Sequence, residues 1–320
     1  MFKNNNKDVP IPPAPPTEQN NMLKAIVANI MQHETKTGKP FLVLDLFTEN
    51  REKINAKKWN TDKTDFNVNI YDTIECEIEE TVYNNQPSYI LHDYNVLDSK
   101  DIDKSLFIPS LKINEIENHK EYFNTAIFQL EESKYKRLMQ CFVEDYAEKF
   151  FKAPSARKMH GNYIGGLLEH SCNVHKIAMN IAGMYNIDKT SKDFDISLIS
   201  VGALLHDIGK IVTYGYDQGV IDYNKEEKTL GHTAVGMCMI YNYQCKLKAN
   251  YTDLMHVIAS HMNQIEWGAI QTPKILEATI VANADLMDAR ANIYYNDSIN
   301  WDEDNKAWCD ALRSFVYKVK

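Results

Sequence analysis

The chain has 320 residues, with 35 Lys and Arg against 44 Asp and Glu, a formal charge of −9 and a sequence pI near 5.6. That balance excludes a protein that coats nucleic acid by bulk positive charge. A composition of 44% hydrophobic and 25% charged residues excludes collagenous, low-complexity and wholly disordered chains, and the length suits about two domains.

In chain order, residues 1–21 are rich in Asn and Pro and read as an extended leader with too little apolar surface to fold. Its start, MFKNNNKDVP, has no apolar run like that of a signal peptide. Residues 22–110 are strand-rich: AIVANIM, a turn at Lys36 to Pro40, then FLVLDLF, KINAKKW, TIECEIEETV and SYILHDYNVL. Five short alternating segments in that span predict a small all-β barrel or sandwich. Residues 111–152 change period, with apolar residues from Phe123 to Phe150 recurring at three- and four-residue steps, and read as a helical connector. Residues 153–320 continue as helices broken at 161–166, 186–194, 214–231, 267–273 and 295–304, so the second domain is expected to be nearly all α. No run approaches the roughly 18 or more uninterrupted apolar residues of a membrane span. The six scattered cysteines form no C-x-x-C pair and suit a reducing compartment. The expectation is a soluble, cytoplasmic protein without a membrane partner.

Seven histidines (His160, His170, His175, His206, His232, His256 and His261) fall between residues 160 and 261. His170, His206 and His261 continue the apolar faces of their helices, as does Asp285 after Ala278, Val281 and Ala282. Asp207 follows Ala203 and Leu204. A desolvated carboxylate on an apolar face is costly unless a cation or donor meets it. Imidazoles and carboxylates brought inward from several helices are the donor set of a divalent metal site. His175 and His256 fall off these faces and are left out. Of the two His-Asp pairs, His92-Asp93 lies in a strand and reads as a surface pair. His206-Asp207 ends an apolar helix, where adjacent residues reach one ion more easily than in mid-helix.

These residues resemble the HD-domain metal-dependent phosphohydrolase superfamily, whose signature is a His, a His-Asp pair and a distant Asp. Here those are His170 in GLLEHS, His206 and Asp207 in LLHDIGK, and Asp285 in NADLMDA. The pattern is closest to the YhaM-type 3′-to-5′ exoribonucleases, in which an OB-fold precedes the HD domain. GKPFLVLDLF and INAKKW in the barrel, LGHT at His232 and the segment from His261 to Gly268 extend the likeness. The resemblance implies a multidomain protein, an N-terminal OB-fold barrel over residues 22–110 and an all-α HD domain over 153–320. It further implies a first metal site of His170, His206, Asp207 and Asp285, and a second of Asp207, His232 and His261. Where the family usually has two consecutive histidines this chain has His261-Met262, and a thioether is a poor ligand for a hard cation. The second ion is therefore expected to be weak, water-completed or absent. The resemblance favours Mn²⁺ among the divalent ions.

Such an ion lowers the pKa of a bound water and polarises a phosphoryl oxygen. Asp207 is the ligand suited to bridge two ions. Lys210 reads either as a charge that offsets the transition state or as a solvated helix-end lysine. Arg157 and His160 are candidates for the substrate path or are surface residues. Trp267 is a base-stacking ring or, more in keeping with its position, a buried cap. In the barrel, Phe41, Lys57, Lys58 and Trp59 are candidates for single-stranded nucleic acid, with Lys57 and Trp59 on one strand face. Residues 1–110 nevertheless carry twelve basic and seventeen acidic side chains, so binding is expected to be local and weak. Three readings remain: an exonuclease on single-stranded RNA or DNA, RNA being favoured; a phosphohydrolase acting on a small nucleotide, its barrel serving assembly or regulation; and a noncatalytic protein with a structural metal. A homo-oligomer is compatible with each.

Overall fold

A computed structural model of the chain describes residues 21–83, 86–98, 102–157, 161–216, 218–295, 301, 305–309 and 312–319. The leader read over 1–21 lies outside these residues apart from Asn21, which opens the first strand. The chain divides into two compact units after Ile102.

In the first unit, β1 (Asn21–Glu34), β2 (Pro40–Thr48), β3 (Lys53–Trp59), β4 (Thr73–Tyr83) and β5 (Gln86–Val96) close a barrel in the order β1-β2-β3-β5-β4. All pairings are antiparallel except β3 with β5. Closure depends on β1, which pairs with β2 along one stretch and with β4 along another, with a register shift between Val27 and Asn29. A bulge of this kind bends a strand so that it can serve both neighbours. Alternation decides which side chains fill the interior: Leu42, Leu44 and Leu46 of β2 and Ile54 and Ala56 of β3 are buried, which sends Phe41, Lys57 and Trp59 outward. Strand number, order and closure are those of an OB-type barrel.

The second unit is mainly helical. It contains α1 (Ile113–Phe128), α2 (Lys134–Lys152), α3 (Gly166–Met184), α4 (Ile196–Leu205), α5 (Lys210–Thr213), α6 (Lys225–Thr229), α7 (Gly231–Leu247), α8 (Thr252–Ser260) and α9 (Leu276–Tyr295). Asp195 caps α4, its carboxylate accepting from the amides of Ser197 and Leu198, which satisfies donors left open at a helix start. From Leu198 to Leu205 every residue of α4 is buried, so this helix runs through the middle of the unit and the others pack around it. The segment read as a connector belongs to the same core. Phe123, Leu138, Phe142 and Phe150 are fully buried and share one hydrophobic cluster with Leu167, Leu204 and Val281.

Two antiparallel pairs depart from the expected all-α reading. One is short, β6 (Tyr214–Gly215) with β7 (Asp222–Tyr223), and lies within the loop read over 214–231. The other, β8 (Lys306–Cys309) with β9 (Ser314–Tyr317), follows α9. Ala307, Cys309 and Val316 form its inner face, packed with Ile293, and the alternation that makes this possible has period two rather than the helical period. Among the described residues one segment, Ile196–Thr213, is long and apolar enough to cross a membrane, yet 78% of it is buried in this core, where it carries His206 and Asp207.

Candidate metal centre

Six side chains from five parts of the helical unit converge; five of them, His170, Asp207, His232, His261 and Asp285, line a cavity of about 360 Å³, and His206 lies behind them with its Nε2 3.1 Å from that of His170. His170 comes from α3, Asp285 from α9 and His232 from the first turn of α7. His206 and His261 are the residues that terminate α4 and α8, both still in right-handed helical conformation. Asp207 is the first residue past the end of α4. Its neighbourhood depends on Gly209: a Cβ there would lie 1.9 Å from the carbonyl oxygen of His232. The lack of a side chain in LLHDIGK lets the α7 backbone come close enough to bring His232 beside Asp207.

Each of the four imidazoles is held by its Nδ1 and presents its Nε2 to the centre. His170 Nδ1 donates to Asp288 at 2.7 Å and His232 Nδ1 to Glu227 at 3.1 Å. His206 and His261 donate to the carbonyls of Ala203 and Ile258, three residues back in their own helices, at 2.9 and 2.7 Å. Those carbonyls belong to the last turn, where no further helical amide takes them up. Fixing Nδ1 as donor leaves the Nε2 lone pair for a metal ion, the usual arrangement of a metal-binding histidine. Asp288 and Glu227 were not singled out from the sequence.

The donor atoms form two groups on either side of Asp207. In the first, His170 Nε2 lies 3.1 Å from His206 Nε2 and 3.2 Å from Asp285 Oδ1. Asp207 Oδ2 faces this group, 3.4 Å from His206 Nε2 and 3.6 Å from His170 Nε2. In the second, Asp207 Oδ1 is 3.4 Å from both His232 Nε2 and His261 Nε2. These separations are shorter than two ion-to-donor distances of about 2.1 Å each, so each group is spaced to share one ion. A further observation supports the fit. Asp207 Oδ1, His232 Nε2 and His261 Nε2 are buried without a hydrogen-bond partner, and three such atoms facing one point are costly unless a cation lies among them.

The electrostatics agree. Burial works against the charged form of His170, but its hydrogen bonds to the carboxylates of Asp285 and Asp288 outweigh it and raise its pKa to about 10. Burial likewise opposes ionisation of Asp285, yet His170 and His206 hold its pKa at about 2. Asp207 resists its own desolvation through Lys210 and His206 and lies well below the usual carboxylate range. The centre therefore keeps two buried carboxylates ionised and draws positive charge to them. Lys210 Nζ is 2.6 Å from Asp207 Oδ2 and largely buried, so it is not a solvated helix-end lysine.

The other candidates separate clearly. Trp267 lines the cavity but is 42% exposed; it is an open ring at the cavity and not a buried cap, because the short helical turn that carries it buries none of its residues. Arg157 bonds Asp222 at 3.0 Å and stacks over Tyr223, which does line the cavity. His160 lies outside the described residues. Tyr214 also lines the cavity, and burial pushes its hydroxyl far above the ordinary range, so it stays a neutral donor. His175 bonds Tyr122 and Ser200, and His256 accepts from the Lys274 amide, away from both donor groups. His92 is an exposed partner of Glu79 within β5. On the outer face of the barrel Phe41 and Trp59 are 4.7 Å apart, with Lys57 Nζ 5.8 Å from the Trp59 ring. His33, opposite Phe41 in the register, extends this row at 5.5 Å. Lys58 turns to the other side, toward His92 and the Tyr94 ring.

The sequence is similar to those of known proteins. Residues 167–290 match the HD domain family. A 3′-5′ exoribonuclease YhaM from Oceanobacillus iheyensis is 28% identical over 266 residues, covering 81% of this chain and 80% of that protein. One from Listeria monocytogenes is 24% identical over 273 residues, 84% of each chain. One from Bacillus velezensis is 27% identical over 260 residues, 79% of each.

Proposed function

We propose, from the premise that the chain is an HD-domain protein of the YhaM type, that it is a cytoplasmic, divalent-metal-dependent exonuclease that shortens single-stranded RNA from its 3′ end by hydrolysing phosphodiester bonds. Single-stranded DNA is the alternative polymer. The observation that carries this reading is the convergence of two buried donor groups on the two oxygens of one carboxylate, Asp207. His170, His206, Asp207 and Asp285 would hold a first ion, and Asp207, His232 and His261 a second. Manganese is the ion we favour, on the family resemblance and on the mixture of imidazole and carboxylate donors. The chemistry an ion supplies there is activation of water and polarisation of a phosphoryl oxygen.

The chain's own residues do the rest. Asp288, Glu227 and the carbonyls of Ala203 and Ile258 keep each Nε2 aimed inward, so no reorientation is needed when a substrate arrives. Lys210 holds Asp207 Oδ2 in place and brings a positive charge to the cavity, where it offsets charge gathering on the phosphoryl oxygens. Trp267 offers a ring for the terminal base, and Arg157 supports the wall formed by Tyr223. In the barrel, Phe41, Trp59 and Lys57 provide stacking surface and a cation for the strand.

Purified protein incubated with Mn²⁺ and a 5′-labelled single-stranded RNA is expected to give a ladder that shortens from the 3′ end, and Asp207→Ala to lose it, by more than about a hundredfold, since a ligand common to both groups is removed. A DNA of equal sequence and a panel of nucleotides run alongside. Hydrolysis confined to mononucleotides would overturn the proposal in favour of a small-nucleotide phosphohydrolase, and absence of any metal-dependent turnover would leave a structural metal.

A further inference from the structure

The hairpin that follows α9 has two unlike faces. Inward it presents Ala307, Cys309 and Val316, packed with Ile293 of α9. Outward it presents Trp308, Phe315 and Tyr317, which are 54%, 53% and 64% exposed. Large rings usually leave water when a chain folds, and three on one small face mark a contact surface. Their arrangement is specific. Trp308 and Phe315 oppose one another in the register and meet edge to face at 5.2 Å. Lys306 Nζ lies 4.0 Å from the centre of the Phe315 ring and 5.9 Å from that of Tyr317. The ammonium is thus held between two rings.

Charge points to the class of ligand. The chain as a whole is at −9, yet Lys306 lies among these rings and Arg313 is exposed just before β9. A face on which a cation sits among rings complements a flexible polyanion that carries flat bases, and rings interleaved with cations are how single strands are held without regard to sequence. Position supports the same ligand. Ile293 lies eight residues beyond Asp285 on the one helix, an axial rise of about 12 Å, so the hairpin and the metal centre are mounted on a common rigid element.

We propose that the outer face of the β8–β9 hairpin is a contact for single-stranded RNA, in which bases stack on Trp308 and Tyr317 while Lys306 meets a phosphate, holding the strand upstream of the 3′ end being hydrolysed. This rests on the exonuclease reading for the identity of the polymer.

The test uses the full chain. Binding of a 5′-fluorescein 20-mer of uridine is followed by anisotropy in the Asp207→Ala background, and hydrolysis of bis(p-nitrophenyl) phosphate, too small to span from the site to the hairpin, is followed in the otherwise native enzyme. Trp308→Ala with Tyr317→Ala is expected to weaken 20-mer binding by about tenfold per ring and to leave small-diester hydrolysis unchanged. Trp308→Phe with Tyr317→Phe should keep most of the affinity, and Lys306→Glu should weaken it and flatten its salt dependence. Unchanged 20-mer affinity in the double alanine variant overturns the inference. Equal losses on the 20-mer and the small diester also overturn it, since the hairpin would then act only by supporting α9. A fall in oligomeric state by light scattering with RNA affinity retained assigns the face to a second copy of the chain and overturns it too. If the native enzyme binds the 20-mer through these rings but releases no nucleotides from it, the exonuclease reading fails and the hairpin contact stands; if it binds no RNA, both fall.

Discussion

On the Oδ2 side of Asp207, His170, His206 and Asp285 lean on one another, with Nε2 to Nε2 at 3.1 Å and Nε2 to Oδ1 at 3.2 Å, and Lys210 completes the carboxylate at 2.6 Å. On the Oδ1 side, His232 and His261 face the same carboxylate at 3.4 Å and none of the three atoms has a hydrogen bond. The difference is one of alternatives. In the first group protons and an ammonium partly satisfy the buried charge, as the pKa of His170 near 10 expresses. In the second, burial lowers the pKa of His232, whereas at His261 the Asp207 carboxylate outweighs burial and raises it, so a proton can serve one imidazole of the pair but not the other. Next to that group stands Met262, which lines the cavity with a thioether. The first group is thus well furnished with ligands and already partly neutralised, while the second is shorter of ligands and less completely neutralised.

The sharpest way to separate the two is to disturb their outer supports one at a time. Asp288→Asn keeps the shape and a hydrogen-bond acceptor for His170 Nδ1 but removes the charge. It is expected to raise the Mn²⁺ concentration for half-maximal activity by several tens-fold, within the range of about ten- to a hundredfold seen when an outer carboxylate of a metal site is lost. Glu227→Gln acts on His232 in the same manner, and because it touches the less completely built group its effect should be about tenfold and confined to the weaker of two binding steps in a calorimetric titration. Equal effects of both substitutions on both steps would show that the two groups fill as one. Met262→His tests the comparison from the other direction. A new imidazole beside His261 is expected to tighten the weaker step by about tenfold and to leave the stronger step unchanged. Tightening of the stronger step instead would mean that the two groups have been ranked in the wrong order.

Much of this centre could be read from the sequence because its ligands break a pattern. Polar residues on stripes of Leu, Ile, Val and Ala are conspicuous, and His170, His206, His261 and Asp285 all lie on such stripes. The barrel was legible for a similar reason: FLVLDLF alternates, and Leu42, Leu44 and Leu46 are the buried set. The supporting residues were harder. Asp288 sits one turn beyond Asp285, and that spacing was a signal available in DLMDA. Glu227 belongs to KEEK, which reads as a solvated charge run, and only the closeness of α7 to the end of α4, allowed by Gly209, makes it a partner of His232. For Trp267 the sequence leaves a stacking ring and a buried cap both open, because burial of an aromatic depends on what folds over it, and the ring is exposed. The β8–β9 hairpin escaped because its strands are four residues each and its inner face is small, so nothing but the alternation of Lys306 to Cys309 and Ser314 to Tyr317 announces it.

His175 provides the smallest effect and a control for the metal centre. It shares α3 with His170 and is as deeply buried, each being 6% exposed, but its partners are the Tyr122 hydroxyl at 2.7 Å and the Ser200 hydroxyl at 2.9 Å rather than carboxylates. Burial, and then the nearby Lys176, lower its pKa to about 4, where in His170 the carboxylates reverse the same effect. A histidine whose pKa is depressed on folding binds its proton more readily in the unfolded chain. Its contribution to stability is therefore complete above an unfolded pKa of about 6.5 and is lost as pH falls toward 4, at about 1.4 kcal/mol per unit once the unfolded chain is fully protonated. His175→Gln removes that proton uptake. Urea unfolding at pH 7 should show the variant less stable by about 1–2 kcal/mol for the altered hydrogen bonds, while between pH 6 and pH 4.5 its stability should fall less steeply than that of the native chain, so that the two curves converge. Parallel curves would show that His175 is not held neutral. Mn²⁺-dependent activity at pH 7 should be unchanged, because neither donor group includes this residue.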